Sequence, residues 1–415
     1  MAAGIKNTMD IEADRENPRA RGDLEFFPVQ SADGTAVMIR DRLGLVKEGR
    51  VIHLELYKLL TMLDGEISIR DIQFYLIRQQ GGRLIPIEEV ESLLDGLDSS
   101  YLLDSSRYRE ARKKIISDFS AQKIRYCSHA GQSYPKEKEG LRYRLDAILA
   151  TQEVPSFPQG NITGLVAPHI DLEAGKRVYS SAYQAIKAII PERIIILGVG
   201  HSMQKEMFSL TSKTFETPLG KIETDGEMVL ELKKAGDRIV SNEDFPHRDE
   251  HSIEFQVIFL QRILQDASFT IIPILCGSLL GSLPEYSRKS YLSIGGEFIK
   301  LLADVARDER TIVVAGVDLS HVGPKFGHEM PAVSIIDQSE GHDRKMLSFL
   351  CDMNAEGFWS ESREVGDRYN VCGFSALTCL LEILPPSHGH LLNYEIFKED
   401  ATRSAVSFAA VVFVG

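Results

Sequence analysis

Histidines at the ends of apolar runs are the residues of this chain that are best placed to do chemistry. His169 ends the run ITGLVAPH, His201 follows the run RIIILGVG, and His321 ends the run TIVVAGVDLSH. Imidazole is the commonest metal ligand in proteins, and it also transfers protons near neutral pH. Ligands of open α/β sheets bind outside the carboxyl ends of the strands. We therefore expect one site, for a metal ion or for acid–base work, where these runs end.

Two further segments add carboxylates and hydroxyls to this set. HRDEHSIEFQ holds Glu250 and His251 just before a predicted helix, and DLSH holds Asp318 and Ser320 beside the third histidine. The carboxylates are candidates either for metal ligands or for groups that hold the ring nitrogen of a ligating histidine. Each residue alone is also compatible with a hydrogen-bonded structural role, but their repetition favours a shared site.

A cysteine and a fifth histidine complete the candidates. Cys372 opens a predicted helix in VCGFSAL, where the helix dipole would favour a thiolate, and His129 lies in SHAG. Two histidines and one further donor, for which Cys372 is a candidate, would leave an open coordination position. An inert buried thiol remains the alternative for Cys372, and a structural anchor the alternative for His129. Histidines in polar stretches are expected to be solvated: His247, His328, His342, His388 and His390.

Strands that alternate with helices must position these residues. The pattern predicts strands at 162–167, 193–197, 208–211, 238–241, 269–275, 311–316, 391–397 and 405–414. It predicts amphipathic helices at 176–190, 226–235, 252–265, 291–306, 333–351 and 373–384. Such alternation predicts an α/β fold with a central, mostly parallel sheet flanked by helices. The last two strands have no helix between them, so they predict an antiparallel edge.

Composition narrows the classes of protein. The formal net charge of the 415 residues is −13, which argues against general nucleic-acid binding because phosphates would be repelled. No apolar run is long enough to span a membrane, and the polar start lacks a signal-peptide core. Five scattered cysteines without a CxxC pair predict free thiols in a reducing cytoplasm.

The chain is predicted to have two folded parts. We expect a disordered lead-in over 1–24, a mainly helical winged-helix-like domain over 25–108, a charged linker helix over 109–124 and the α/β domain over 125–415. Three short helices with a hairpin-like end at SSYLLDS are typical of the winged helix. Acidic residues crowd its third helix, which favours docking or dimerisation over DNA binding.

Ordered motifs in the second part carry a resemblance to a known family. SHAGQSYP, GLVAPHIDLEAG, ILGVGHS, TPLGKIETD, HRDEHSIEFQ, GVDLSH and VCGFSALTCLLEIL occur in the order seen in the Memo-like family, also called AmmeMemoRadiSam system protein B. The resemblance covers Tyr126 to the C-terminal end of the sequence. More loosely, the first part resembles the winged-helix, PqqD-like extension of some bacterial members.

The resemblance implies a fold and a ligand set. The family's fold is similar to that of class III extradiol dioxygenases, and its metal ligands correspond to His169, His201 and Cys372. It also implies pocket roles for His251, Asp318 and His321. Ser320 stands where a relative carries cysteine, so this chain has a hydroxyl there instead of a second thiol.

Three functions follow as hypotheses. The first is a metal-site protein with one copper or iron ion, doing redox or oxygen-linked chemistry alongside a radical-SAM enzyme and an Amme-type protein. In it, His251, His321, Asp318 and Glu250 would be catalytic, with His129 and Ser320 elsewhere in the pocket. The second is an extradiol-type ring-cleaving dioxygenase, and the third a non-enzymatic module that binds a peptide or small molecule. Fold resemblance alone does not decide among them.

Overall fold

The computed structural model describes residues 16–31, 34–203, 205–265 and 267–415, and it divides the chain into two compact units. The first unit ends at Ala121 and the second runs from Gln122 to Gly415. Within the described residues, no helix is both long enough and apolar enough to cross a bilayer.

The described residues of the first unit form a small sheet and the four helices given below. Strands β1 (Leu24–Ser31), β2 (Gly34–Asp41) and β3 (Val51–His53) pair antiparallel in that order. They precede helices α1 (Leu54–Met62), α2 (Ile69–Gln79), α3 (Ile87–Ser99) and α4 (Ser106–Ser120). Ser68 caps α2 in a reciprocal capping box with Asp71, because its hydroxyl accepts from the Asp71 N–H. The hairpin therefore lies before the helices, and not after them at SSYLLDS.

Part of the predicted lead-in is folded. Residues 1–15 lie outside the described residues, but Arg19 and Ala20 form bridges with Asp64 and Leu103. The buried Arg21 guanidinium lies 2.7 Å from an Asp41 oxygen. The folded chain therefore begins earlier than residue 25.

The second unit alternates strands and helices through most of its length. Its strands are β4 (Ile124–Tyr126), β5 (Ile162–Ala167), β6 (Arg193–Val199), β7 (Phe208–Leu210), β8 (Thr214–Thr217), β9 (Gly220–Ile222), β10 (Thr270–Cys276), β11 (Thr311–Gly316), β12 (His321–Val322), β13 (His388–Glu399) and β14 (Ser404–Val414). Its helices are α5 (Lys138–Leu149), α6 (Lys176–Ala185), α7 (Gly226–Gly236), α8 (His251–Ile263), α9 (Arg288–Ala306), α10 (Ile336–Cys351), α11 (Ala355–Val365) and α12 (Phe374–Ile383).

The main sheet is mixed rather than mostly parallel. Its hydrogen-bonded order is β12-β14-β5-β11-β6-β10-β7, and β13, which lies off this path, also pairs with β14. The four central strands β5, β11, β6 and β10 are parallel, while β14, β12, β13 and β7 add antiparallel pairs. The last two strands are antiparallel as predicted. A separate small sheet joins β4, β8 and β9.

Alternation along the central strands fills two cores. In β6, Ile195 and Leu197 pack into the core on one face of the sheet, and Ile194 and Ile196 into the core on the other. Successive side chains of a strand point to opposite faces, so a continuous apolar run is stable only where helices cover both. The predicted strand at 238–241 is wrong. It is a 3₁₀ turn at Asp237–Ile239 followed by a single bridge from Phe208 to Val240.

Candidate metal centre

The carboxyl ends of two parallel strands bring together two histidines, and the start of a helix adds a cysteine. His169 follows β5 and His201 follows β6, and β11 lies between these strands. Cys372 comes two residues before α12. One ring nitrogen of each histidine and the Cys372 sulfur all lie within 4.8 Å of one another. The third donor therefore comes from a helix end more than 170 residues further along the chain.

The His169 ring is held from behind by the backbone. Its Nδ1 lies 2.9 Å from the Gly316 carbonyl, which can only accept, so Nδ1 carries the proton. Its Nε2 lies 3.6 Å from the Cys372 sulfur. A β-carbon on Gly316 would lie 2.4 Å from the Ser252 carbonyl oxygen, so glycine is needed where α8 crosses β11. Burial and the neighbouring His251 and His201 lower the pKa of His169, which keeps the ring neutral.

One carboxylate orients two further rings. Glu250 caps α8 by accepting from the Ser252 N–H at 3.0 Å. Its oxygens lie 3.0 Å from His201 Nδ1 and 3.2 Å from His251 Nδ1, and the two rings stack with centroids 5.1 Å apart. Burial alone would raise the pKa of Glu250, but His201 and His251 outweigh it and hold the pKa well below its usual range. Nε2 of His201 is therefore the nitrogen that can coordinate an ion.

The Cys372 thiol contradicts the expected effect of the helix dipole. It is half-buried at the cavity wall and donates to the Asp318 carbonyl at 3.5 Å. Burial, with the nearby Asp318 charge, raises the pKa of Cys372 well above its ordinary value. The thiol is therefore protonated in this structure, and an ion bound there would have to displace that proton.

Asp318 and His321 extend the site along the same edge. The Asp318 carboxylate accepts from the His169 N–H at 3.0 Å, and its other oxygen lies 3.6 Å from His169 Nε2. Burial raises the pKa of Asp318 to about 7. His321 Nδ1 is 2.9 Å from the Leu319 carbonyl, and burial lowers the pKa of His321 to about 4. Near neutral pH, a neutral imidazole and a carboxyl close to its midpoint therefore lie beside the proposed ligands.

His129 is held at the cavity by a buried carboxylate that sequence patterns did not reveal. Glu254, in the first turn of α8, accepts from the His129 N–H at 3.0 Å and pairs with the Arg125 guanidinium. It also accepts from Tyr134, and Ser128 Oγ lies 2.9 Å from His129 Nδ1. The contacts of Glu254 join it to residues 120 or more positions earlier in the chain, for which sequence periodicity carries no signal.

The remaining predicted residues fall outside the cavity. Ser320 is not among the cavity-lining residues, and its buried hydroxyl donates to Asp343 at 2.6 Å. The prediction that His247 and His342 are solvated is wrong, because both are buried. His247 Nε2 donates to the Ser209 carbonyl at 3.0 Å. His388 is exposed, and His328 and His390 are half-buried.

The proposed ligands, the neighbouring site histidines and Asp318 line a cavity of about 860 Å³. It is large enough for an organic ligand as well as an ion. Apolar residues that the sequence did not single out form much of its wall: Met203, Phe255, Leu279, Tyr286, Val371 and Phe374. Lys325 and Glu399 lie at the same cavity and form an ion pair at 3.0 Å.

Comparison with known proteins gives a consistent result. A family model described as Memo-like protein matches residues 125–412. A MEMO1 family protein from Aquifex aeolicus is 31% identical over 398 residues, which cover 94% of this chain and 99% of that protein. MEMO1 family proteins from Thermus thermophilus (28% over 348 residues; 83% of this chain, 98% of that protein) and Nitrosopumilus maritimus (26% over 295 residues; 69% and 98%) are also similar. The similarity to the Aquifex protein therefore extends well into the first unit.

Proposed function

This chain belongs to the Memo-like family, and on that premise we propose that its cavity is a mononuclear metal site for redox or oxygen-linked chemistry. The observation that supports this is the convergence of His169, His201 and Cys372, whose donor atoms lie within 4.8 Å of one another. Both imidazoles have Nδ1 occupied by protein acceptors, which directs Nε2 to an ion.

The donor set fits a soft ion. Two neutral imidazoles and a thiol suit Cu(I) or Zn(II), and thiolate is a poor partner for hard ions. Copper or iron held there would supply one-electron transfer. Around it, Glu250 and Gly316 fix the two rings, and Asp318 holds or releases a proton at its buried carboxyl oxygen.

Anaerobic metal analysis tests the proposal first. Protein purified without oxygen is expected to carry close to one equivalent of a transition metal. A competition titration against a colorimetric Cu(I) chelator then compares the wild type with Cys372→Ser. We expect the substitution to weaken Cu(I) binding at least about tenfold, or ~1.4 kcal/mol.

Two variants control this titration. Cys351→Ser makes the same chemical change at a half-buried thiol outside the cavity, and Ser320→Ala changes a hydroxyl that does not line it. Both should leave Cu(I) affinity unchanged. Equal affinities for the wild type and Cys372→Ser would remove the cysteine from the ligand set.

One observation favours a second function, an extradiol-type ring-cleaving dioxygenase. Asp318 places a carboxylate oxygen 3.6 Å from His169 Nε2, so the two histidines also have a carboxylate beside them. Two histidines and a carboxylate are typical of non-haem iron oxygenases. Ring opening of catechol by the iron-loaded protein, lost in Asp318→Asn but kept in Cys372→Ser, would favour this function over the first.

We propose partners on the family resemblance alone. A radical-SAM enzyme and an Amme-type protein would act with this chain. Co-expression of the three proteins with a tag on this chain tests the association. If neither partner elutes with the tagged chain in size-exclusion chromatography, the proposed association is contradicted.

A further inference from the structure

Two cavity histidines beyond the proposed ligands present lone pairs to the cavity. Nδ1 of His321 must carry the proton, because its partner is the Leu319 carbonyl oxygen at 2.9 Å. Nδ1 of His251 faces a Glu250 carboxylate oxygen at 3.2 Å, which also only accepts. With the proton on Nδ1, Nε2 of each ring is left as the nitrogen that accepts a hydrogen bond.

The His129 ring also donates from Nδ1 and accepts at Nε2. Ser128 Oγ lies 3.2 Å from a Glu254 carboxylate oxygen, so the hydroxyl donates its proton there. The hydroxyl oxygen is then left to accept from His129 Nδ1, 2.9 Å away. His129 consequently adds a third acceptor nitrogen to the cavity.

The obligate side-chain donors of the cavity wall are already in use. Lys325 is the only lysine or arginine among the described cavity-lining residues, and its ammonium is 3.0 Å from Glu399. The two Asn370 amide protons go to the backbone carbonyls of His321 and Phe326, at 3.2 and 3.1 Å. Among the described lining residues, the lysine and amide donors are therefore already bound to other acceptors, and the other side-chain hydroxyls can accept as well as donate.

The charged residues that line the cavity also disfavour anionic ligands. Asp171 and Asp367 also line it, and Asp171 is exposed to solvent. A monovalent copper ion and the thiolate that binds it carry opposite single charges, so they add no net charge. Anions are therefore disfavoured both with and without such an ion.

From this pattern we propose that the cavity binds an aryl-alkyl amine or a similar hydroxyl- and ammonium-bearing aromatic molecule, and that it rejects carboxylates and phosphates of the same shape. Phe255, Tyr286 and Phe374 offer aromatic surfaces for the ring. The histidine nitrogens accept from the hydroxyl, and Asp171 attracts the ammonium. This inference deepens the proposed function, because it names the ligand class of the same cavity.

A series of isosteric probes tests the proposal by isothermal titration, on metal-free and Cu(I)-loaded full-length protein. Tyramine carries a phenol and an ammonium, 4-ethylphenol is its neutral counterpart, and 4-hydroxyphenylacetate replaces the ammonium with a carboxylate. We expect affinity to fall in that order, by at least about tenfold from first to last. 4-Methoxyphenethylamine, which lacks the hydroxyl donor, should bind more weakly than tyramine.

Matched variants separate charge from folding. Asp171→Asn keeps an oxygen for the backbone N–H of Glu173 and Ala174 while removing the charge, and should reduce the preference for tyramine over 4-hydroxyphenylacetate several-fold. Glu173→Gln removes a charge in the same loop from a residue that does not line the cavity, and should not change the preference. His321→Phe should weaken tyramine more than 4-methoxyphenethylamine.

The proposal is overturned if the carboxylate binds as tightly as the amine, if the methoxy probe equals tyramine, or if no probe binds at millimolar concentration. Failure of the metal proposal is a separate result, since elemental analysis reports it without any organic probe. Tyramine selectivity in metal-free protein would stand even then.

Discussion

Two imidazole–carboxylate pairs of the second unit have the same distance between partners but opposite surroundings. Nδ1 of His201 lies 3.0 Å from a Glu250 oxygen, and Nδ1 of His342 lies 3.0 Å from a Glu361 oxygen. His201 lines the cavity, whereas His342 is buried among packed side chains and its ring lies 5.2 Å from that of Tyr369. Pairing with a carboxylate therefore does not distinguish a candidate ligand from a structural histidine. What distinguishes them is what surrounds the second nitrogen.

The two carboxylates also differ in what else they hold. Glu250 is buried, caps α8 and contacts a second imidazole, His251. Glu361 instead shares its charge with the exposed Lys345 ammonium at 3.3 Å. The first pair is thus built into an array of rings, and the second joins α10 to α11.

Replacing each histidine should distinguish the candidate ligand His201 from the structural residue His342. We expect these two variants to give the largest changes in Cu(I) affinity and stability. His201→Ala should weaken Cu(I) binding by about 100-fold or more, ~2.7 kcal/mol, because a ligand is lost. His342→Ala should leave Cu(I) affinity unchanged and lower the free energy of unfolding by about 2–4 kcal/mol, because a buried pair is broken. Chelator competition and urea denaturation measure the two quantities, and a loss of Cu(I) affinity in His342→Ala would break the distinction.

Another buried histidine, whose ring donates to a backbone carbonyl and not to a carboxylate, extends the comparison to pH. Burial, only partly offset by the Ser209 carbonyl, lowers the pKa of His247 from 6.5 to about 4. Between these values the unfolded chain binds a proton that the folded chain does not. His247 therefore disfavours the folded state increasingly as pH falls from 6.5 to 4, by up to about 3 kcal/mol.

His247→Gln should reduce that loss, since an amide can donate to Ser209 without titrating. Urea denaturation of both proteins at pH 7 and pH 4.5 gives the comparison. The same fall in stability in both would mean that His247 is not the group responsible.

Removing the charge of each carboxylate is expected to change Cu(I) affinity and stability less than removing the histidines does. Glu250→Gln keeps the shape but removes the charge that holds His201, so Cu(I) affinity should fall by about tenfold. Glu361→Gln should lower stability and leave Cu(I) affinity within error. The chelator titration measures Cu(I) affinity in both variants. Equal losses of Cu(I) affinity would show that the effect is one of overall charge.

The smallest expected effect concerns the first unit. Both pairs lie within residues 122–415, so a fragment of those residues should fold and keep Cu(I) affinity within about twofold. Circular dichroism and the chelator titration test this. An unfolded fragment would mean that the second unit depends on the first.

The sequence predicted where chemistry-bearing residues would gather better than it predicted what surrounds them. Strand ends identified His169 and His201, since apolar runs in parallel sheets end at the same edge. Cys372 lies more than 170 residues further on. The residues alone made it one candidate for the third donor, and the family resemblance implied that it is the ligand. Burial reversed the expected pKa shift of its thiol, and burial is a tertiary property.

Errors at the other histidines have local reasons. His342 was predicted to be solvated because its neighbours GHDRK are polar. Helical spacing nevertheless places it on the same face as Met346 and Leu350, which are buried, so a signal was present. His247 lies in a short 3₁₀ turn, where no periodicity exists to read. The mixed sheet was missed because the pairing of β14 with β5 joins distant segments.

That pairing bears on how the chain is made. β14 begins 237 residues after β5 ends, and it supplies the antiparallel neighbour of β5 opposite β11. On the ribosome, the apolar edge of β5 therefore stays open until almost the whole second unit has emerged. Open apolar edges invite pairing with other chains. Synthesis speed and chaperones should thus affect the yield of native protein.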